Sequence, residues 1–286
     1  MQLENVGHQL EDIIRNNVAD ETMEWLEHRQ ETICKNQSTK DLYLTYSLIG
    51  SKIGAEGDAT ITADHSNLIS YLKKQQATTQ QIARIYLLVS VLEYDREFFA
   101  PKVANIIEVA DTGELETFLK FLILLPNPED YKNTAIEALR TNIATVFNAI
   151  AYHNPYPSQF FDDQQWNQMY LKTAFMQGNL NAISDIDERA NKDLARIISD
   201  YAHERWAAGR DIDPDFWRPV PKFIDRALLK DIERLLKSEN TIENRAGALC
   251  CYHSDNQDAK NLLNVYQKLQ QQIENNGLSW ETIKEE

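Results

Sequence analysis

The chain has 286 residues, of which 43% are hydrophobic; this is enough for a sizeable core and excludes a largely disordered protein. Nine glycines and eight prolines are too few for an all-β chain with many tight turns. The net charge of −15 repels phosphate backbones and anionic lipids, so we expect no nucleic-acid binding and no direct membrane insertion, although a local basic patch could bind a small phosphate.

Apolar residues recur at helical spacing along nearly the whole chain, which predicts an all-α protein. The segment 80–94, which Thr78 or Thr79 opens, is apolar on most sides and is expected at the centre of a layered bundle. Residues 54–64, rich in Gly, Asp and Thr, are predicted to form a loop. The other helices predicted for the N-terminal half are a short one over 3–14, one after an N-cap at Asp20, one after a cap at Ser38 or Thr39, one from Thr112 and one long helix over 129–152.

The C-terminal half is predicted to be equally helical, and its stop signals are Pro155, Gly178 and Gly209. Loops of about 3–8 residues require neighbouring helices to run antiparallel. The predicted elements are a helix that Asp162 or Asp163 caps and that ends at Gln177, then 193–210, a short turn from Asp213 to Trp217, 222–237, 241–253 and 258–275.

Helices of about 12–22 residues with short connections predict an irregular stack of antiparallel helix hairpins, a HEAT-like α-α array. The sequence shows no fixed period, which argues against a regular repeat array. No linker-like segment divides the chain, so we expect a single domain over residues 1–286.

The cysteines have neither the spacing of a disulfide framework nor that of a zinc site, since Cys250 and Cys251 are adjacent and Cys34 is distant. Buried reduced thiols are therefore expected. Residues 1–5 lack a basic segment followed by an apolar run, and the longest apolar stretch, 82–92, is too short to span a bilayer. These features predict a cytoplasmic protein.

Residues 140–218 hold an unusual concentration of polar side chains. Four of them share one stripe of the predicted helix 193–210, namely Arg196, Asp200, His203 and Arg210. If helix 129–152 packs beside it, Arg140 and Arg210 could both point at one carboxylate or phosphate. A solvated polar face with surface ion pairs is the competing interpretation.

No metal or catalytic motif is complete. His203-Glu204 begins a His-Glu-x-x-His zinc motif, but position 207 is alanine. Asp200-x-x-His203 resembles half of a dinuclear carboxylate site, yet no Glu-x-x-His occurs in the chain. We therefore expect no metal and no cofactor.

Two groups of candidate site residues follow from this region. An acid–base role has three candidates, His203 with Asp200 or Glu204. A ligand-binding role has seven, which are Arg140, Asn142, Asn154, Asn167, Lys172, Arg196 and Arg210.

Several strings of the same region, in this order and at this spacing, resemble the EboA family of bacterial proteins. They are Leu124-Leu-Pro126, Arg140-Thr-Asn142, Asn154-Pro-Tyr-Pro157 followed by Phe160, Trp166-Asn-Gln-Met169 followed by Leu171-Lys172, Asp187-x-Arg189-Ala-Asn191, Asp200-Tyr-Ala-His-Glu-Arg-Trp-Ala-Ala-Gly-Arg210 and Phe216-Trp-Arg218. The resemblance covers an EboA-like core of about 110–236 and the N-terminal third only loosely.

The resemblance implies a cytoplasmic protein of metabolite traffic, which acts with products of a gene cluster. That cluster includes prenyltransferase-like and sugar-phosphate-enzyme-like proteins, and it is linked to moving a metabolite toward the periplasm. The family supplies no catalytic residues, so none can be assigned from it.

Three functions are open at this point. We favour a non-enzymatic protein that binds a small polar or phosphorylated metabolite, or a partner enzyme, through the 140–218 surface. The alternatives are an enzyme that acts on a phosphorylated or prenylated metabolite with His203 as acid or base, and a purely structural scaffold.

Structural features can separate these functions. A binder or an enzyme requires a concave pocket near His203 and the arginines. An adaptor requires an exposed aromatic patch, with Trp166, Tyr170 or Trp217 uncovered. A scaffold requires the polar residues to be buried and satisfied, from Arg140, Asn142 and Asn154 to His203 and Arg210.

Overall fold

A computed structural model describes residues 5–54, 59–61 and 67–285 of the chain. These residues form eighteen α-helices and no β-strand, which confirms the all-α fold class. Leu3 and positions 55–58 and 62–64 of the predicted loop lie outside the described residues. The chain divides into two compact units, residues 1–160 and 161–286. The single domain and the HEAT-like array stay predictions.

The first unit contains eleven helices in its described part. Two short 3-10 turns, Leu122–Leu124 and Pro128–Tyr131, lie among them. The helices are α1 (Val6–Arg15), α2 (Asp20–Asn36), α3 (Thr39–Lys52), α4 (Asn67–Lys74), α5 (Thr79–Tyr94), α6 (Arg96–Ala104), α7 (Ile106–Val109), α8 (Thr112–Lys120), α9 (Lys132–Ala138), α10 (Ala144–Ala151) and α11 (Tyr156–Phe160).

Helix α5 is the centre of the first unit, as its apolar sequence predicts. All its residues from Ile82 to Leu92 are buried, and α1, α2, α3, α6 and α8 pack against it. That run includes one charged residue, Arg84, which lies 3.7 Å from the carboxylate of Glu114 on α8. Because both side chains are almost fully buried, this ion pair belongs to the core of the unit.

Most predicted helix starts are confirmed by capping hydrogen bonds. The hydroxyl of Ser38 accepts from the backbone N–H of Asp41, and Thr78 and Gln81 form a reciprocal capping box. The N-cap at Asp20 is wrong by one residue. Asp20 is the first residue of α2, and the capping position is Ala19, whose side chain has no acceptor.

The single long helix predicted over 129–152 is wrong. The segment forms a 3-10 turn, then α9, then a break at 139–143, then α10. Within the break, the Thr141 hydroxyl accepts from the backbone N–H of Ile143 at 3.1 Å, which offers the backbone an alternative to helical bonding. Arg140 and Asn142 therefore lie outside any helix, and no continuous polar stripe forms there.

The second unit contains seven helices, again within the described residues. Three 3-10 turns accompany them, Leu180–Ala182, Pro214–Trp217 and Pro221–Phe223, and the second confirms the turn predicted after Asp213. The helices are α12 (Asp163–Phe175), α13 (Ile186–Arg189), α14 (Lys192–Ala207), α15 (Arg226–Leu236), α16 (Thr241–Tyr252), α17 (Gln257–Leu263) and α18 (Gln267–Glu274).

Three predicted helices of this unit need correction. Helix 193–210 ends earlier, at Ala207, because Gly209 adopts a left-handed backbone with φ of +64°. Helix 222–237 begins only at Arg226, since the Asp225 carboxylate caps α15. Helix 258–275 is interrupted at 264–266, where asparagine and β-branched valine have low helix propensity.

Helix α16 organises the packing of the second unit. It contacts α15, α17 and α18, while α15 also contacts α14. The contact between α15 and α16 is close at Gly247, where an added Cβ would lie 2.9 Å from Leu236 Cγ. No helix in the described part of the chain is long and apolar enough to cross a membrane.

Candidate functional site

An open groove lies between the C-terminal part of α14, the turn that follows it, and α15. We name it the α14–α15 groove, and its volume is about 630 Å³. Its walls are formed by Trp206, Gly209, Arg210, Asp211, Lys230, Glu233, Arg234, Lys237, Ser238 and Glu243. This volume lies in the range that small-molecule sites occupy.

The amphipathic pattern of α15 places its basic residues in the groove. Lys230, Arg234 and Lys237 follow each other at steps of four and three, so they share one face. The apolar face of the same helix buries Ile232 and Leu235. The packing that buries α15 therefore turns a row of cations toward the groove.

The groove is locally cationic on a strongly acidic chain. Four basic side chains line it against three carboxylates, whereas the whole chain carries a net charge of −15. Lys237 pairs with Glu233 at 2.5 Å. Within the described residues, Arg210 and Lys230 have no ionic partner. Two cations are therefore available to an anionic ligand.

The indole of Trp206 forms the aromatic part of the wall. It stacks on the buried Trp217 at 5.8 Å between ring centroids, with planes 18° apart. The guanidinium of Arg234 lies 4.2 Å from the Trp206 ring centre, a cation–π contact. These contacts fix the position of Arg234 without using its hydrogen-bond donors on a carboxylate.

His203 lies beside the groove and joins α14 to α15. Its Nε2 donates to Asp231 Oδ1 at 2.7 Å, and the Ser199 hydroxyl donates to the other oxygen of that carboxylate at 2.6 Å. Asp231 is only 6% exposed, whereas the imidazole is 62% exposed and contacts Trp206. His203 therefore satisfies a buried carboxylate and keeps its other ring nitrogen toward solvent.

Replacing His203 with alanine is expected to lower the free energy of unfolding by about 1–3 kcal/mol, because the buried Asp231 carboxylate loses a charge-assisted partner. Urea unfolding followed by tryptophan fluorescence measures this loss. Glu204→Ala is the matched control, since Glu204 is exposed on the same helix, and it should change stability by less than about 0.5 kcal/mol. Equal stability of the two variants would show that the His203–Asp231 bond contributes nothing.

The predicted site residues of the first unit lie in different settings. Arg140 is exposed and pairs with Glu137 at 2.9 Å, and Asn142 is exposed in the break between α9 and α10. Asn154 is buried, and its amide donates to the carbonyls of Leu119 and Ala149. Asn154 therefore has a structural role.

The predicted residues of the second unit separate into three groups. Arg210 lines the α14–α15 groove and His203 lies beside it. Asn167 is buried in a reciprocal amide pair with Asn191, and Lys172 is half-buried, which lowers the pKa of its ammonium group. The remaining candidates are exposed on α14 away from the groove lining: Arg196 and Asp200, which pair with each other, and Glu204.

The sequence interpretation missed the contribution of α15. The sequence offers Asp200 and Glu204 as partners of His203 on the same helix, whereas its partner in the structure is Asp231 on α15. The interpretation also did not consider Lys230, Arg234 and Lys237. Their helical spacing within the predicted helix 222–237 was a usable signal, because basic residues at steps of four and three share a face.

Some of the sequence strings with the family resemblance contact one another within the second unit. Arg189 lies over the Trp166 ring at 4.9 Å and donates to the Phe161 carbonyl. Arg218 binds Asp187 through two parallel hydrogen bonds of 3.1 and 2.7 Å. These contacts connect α13 with α12 and with the residue that follows the Pro214–Trp217 turn.

The fold and the groove define an all-helical protein with an open, cation-lined cavity. The sequence model of one family, described as "Metabolite traffic protein EboA", matches residues 6–221. The chain belongs to the EboA family. The match includes the N-terminal third and ends before α15, so the family region contains only one wall of the α14–α15 groove. The chain matches none of the curated proteins and none of the solved structures.

Proposed function

We propose that this EboA-family protein is a non-enzymatic binding protein that holds a small anionic metabolite in the α14–α15 groove. The observation that carries the proposal is the pair of unpartnered cations, Arg210 and Lys230, in a groove of ligand size on a chain of net charge −15. Phosphate and carboxylate are the groups that such cations recognise. A cytoplasmic location is part of the proposal and is supported by three free, buried cysteines.

The geometry favours binding over the two other non-enzymatic roles. Trp166, Tyr170 and Trp217, the aromatic residues that an adaptor surface would expose, are all buried. A scaffold would bury and satisfy Arg210 and His203, but both are exposed. An enzymatic role for His203 would require that side chain to reach the ligand, and His203 lies beside the groove without forming part of its wall.

The proposal is tested by titrating inorganic phosphate into the full chain and following the heat of binding. Lys230→Gln removes one unpartnered cation, and we expect phosphate binding to weaken about tenfold, since a hydrogen bond to a charged group contributes about 1.5–3 kcal/mol. Added salt should weaken wild-type binding, because the groove is open to solvent.

Arg196→Gln is the matched control. It removes the same charge from an exposed position on α14 that does not line the groove, so phosphate binding should not change. If both variants weaken phosphate binding equally, this binding depends on the net charge of the chain and not on a site in the groove. If wild type binds no phosphate, the proposed function fails.

A further inference from the structure

A second cavity lies on the other side of the turn that ends α14. Its volume is about 640 Å³. Three of its wall residues, Gly209, Arg210 and Asp211, are also wall residues of the α14–α15 groove. We name it the aromatic cavity for its three rings, Phe175, Tyr201 and Phe216. The rest of its wall is largely polar and includes Arg205, Asp213 and Lys284.

The three aromatic side chains form one cluster. The Phe175 and Tyr201 rings lie 4.9 Å apart, and Tyr201 meets the edge of Phe216 at 5.4 Å. Phe216 is buried, whereas the Phe175 side chain in the wall of the cavity is 56% exposed. An exposed phenyl ring beside other aromatic rings is a favourable contact surface for an apolar group.

The turn between the two cavities is held by side-chain hydrogen bonds and has open space beside its glycine. Arg205 donates two hydrogen bonds, of 3.1 and 2.7 Å, to the backbone carbonyl of Asp211, which holds the turn in place. Gly209 lies within this turn, and a Cβ added there would meet no atom within 4 Å. The space above Gly209 is therefore open, so a ligand can extend from one cavity into the other.

We infer that the ligand of the groove is an amphipathic anion. Its phosphate or carboxylate group lies among Arg210, Lys230 and Arg234, and its apolar body crosses over Gly209 to contact Phe175 and Tyr201. This inference rests on the proposed function and adds the chemical class of the ligand. It follows from the shared wall and from the exposed aromatic cluster, since a ligand that places an anionic group among the cations and an apolar group on the rings has two chemically different ends.

The test compares inorganic phosphate with phenyl phosphate by calorimetry on the full chain, at about pH 8, where both probes are mostly dianions. Wild type should bind phenyl phosphate about tenfold more tightly than phosphate. Phe175→Ala should abolish that difference and leave phosphate binding unchanged. Met176→Ala is the control, because Met176 is the adjacent exposed apolar residue and does not line the cavity.

Each outcome separates this inference from the proposed function. Equal binding of the two probes by wild type overturns the amphipathic ligand but leaves anion binding intact. A loss of phosphate binding in Phe175→Ala also overturns the amphipathic ligand. The Phe175 ring would then affect a ligand that has no apolar group. If neither probe binds wild type, the proposed function fails with this inference.

Discussion

Gly247→Val is expected to lower the free energy of unfolding of the second unit by about 3 kcal/mol. The new side chain would start from a Cβ 2.9 Å from Leu236 Cγ and 3.2 Å from the backbone nitrogen of the same residue. A backbone atom cannot move aside as a flexible side chain can, so α15 and α16 must separate. The loss of core packing outweighs the gain of up to about 1 kcal/mol that replacing a helical glycine can give.

Tryptophan fluorescence during urea unfolding is a suitable readout, because four of the five tryptophans lie in the second unit. Gly277→Ala is the matched control. A Cβ at Gly277 would make only an ordinary contact of 3.5 Å, with the Gln272 carbonyl, so stability should change by less than about 0.5 kcal/mol. Equal stabilities of the two variants would contradict the close α15–α16 contact.

Glu114→Gln is expected to destabilise the first unit by about 3 kcal/mol. The substitution keeps the shape and the capping capacity of the side chain but removes the carboxylate that faces Arg84. Arg84 would then be a buried cation whose remaining partners, the Tyr46 carbonyl and the Gln80 side chain, are neutral. Removing one member of a buried ion pair costs about 3–5 kcal/mol.

Two further variants test the cause of this loss. Adding Arg84→Met to Glu114→Gln should recover most of the stability, because no uncompensated buried charge remains. Glu116→Gln on the same helix, which breaks a more exposed pair with Lys120, should cost less than about 1 kcal/mol. Circular dichroism during urea unfolding measures all three. If the double variant is less stable than Glu114→Gln, the unpaired charge is not the cause.

The sequence predicts the elements of this fold where one local rule applies. The apolar run 82–92 identifies the central helix α5, and side-chain caps such as Thr78 and Asp162 identify helix starts. The break at 139–143 was missed because an apolar period continues on both sides of it. The hydrogen bond between the Thr141 hydroxyl and the Ile143 backbone N–H lies within this break, and the apolar pattern does not reveal it.

The candidate site was predicted less well, because it depends on contacts between helices. The structure places Arg210 in the wall of the α14–α15 groove and His203 beside it, but their role as site residues stays a prediction. Lys230 and Asp231 become partners of that region only when α15 packs against α14, and helical spacing within one segment does not reveal such a contact. The sequence also cannot show that Asn167, a polar candidate, forms a buried amide pair with Asn191.

Hydrogen–deuterium exchange of the full chain, with and without saturating inorganic phosphate, shows where the anion binds. We expect slower exchange confined to peptides that cover residues 206–211 and 230–238, which form most of the groove wall. Unchanged exchange in these peptides, together with protection elsewhere, would contradict an anion site between α14 and α15.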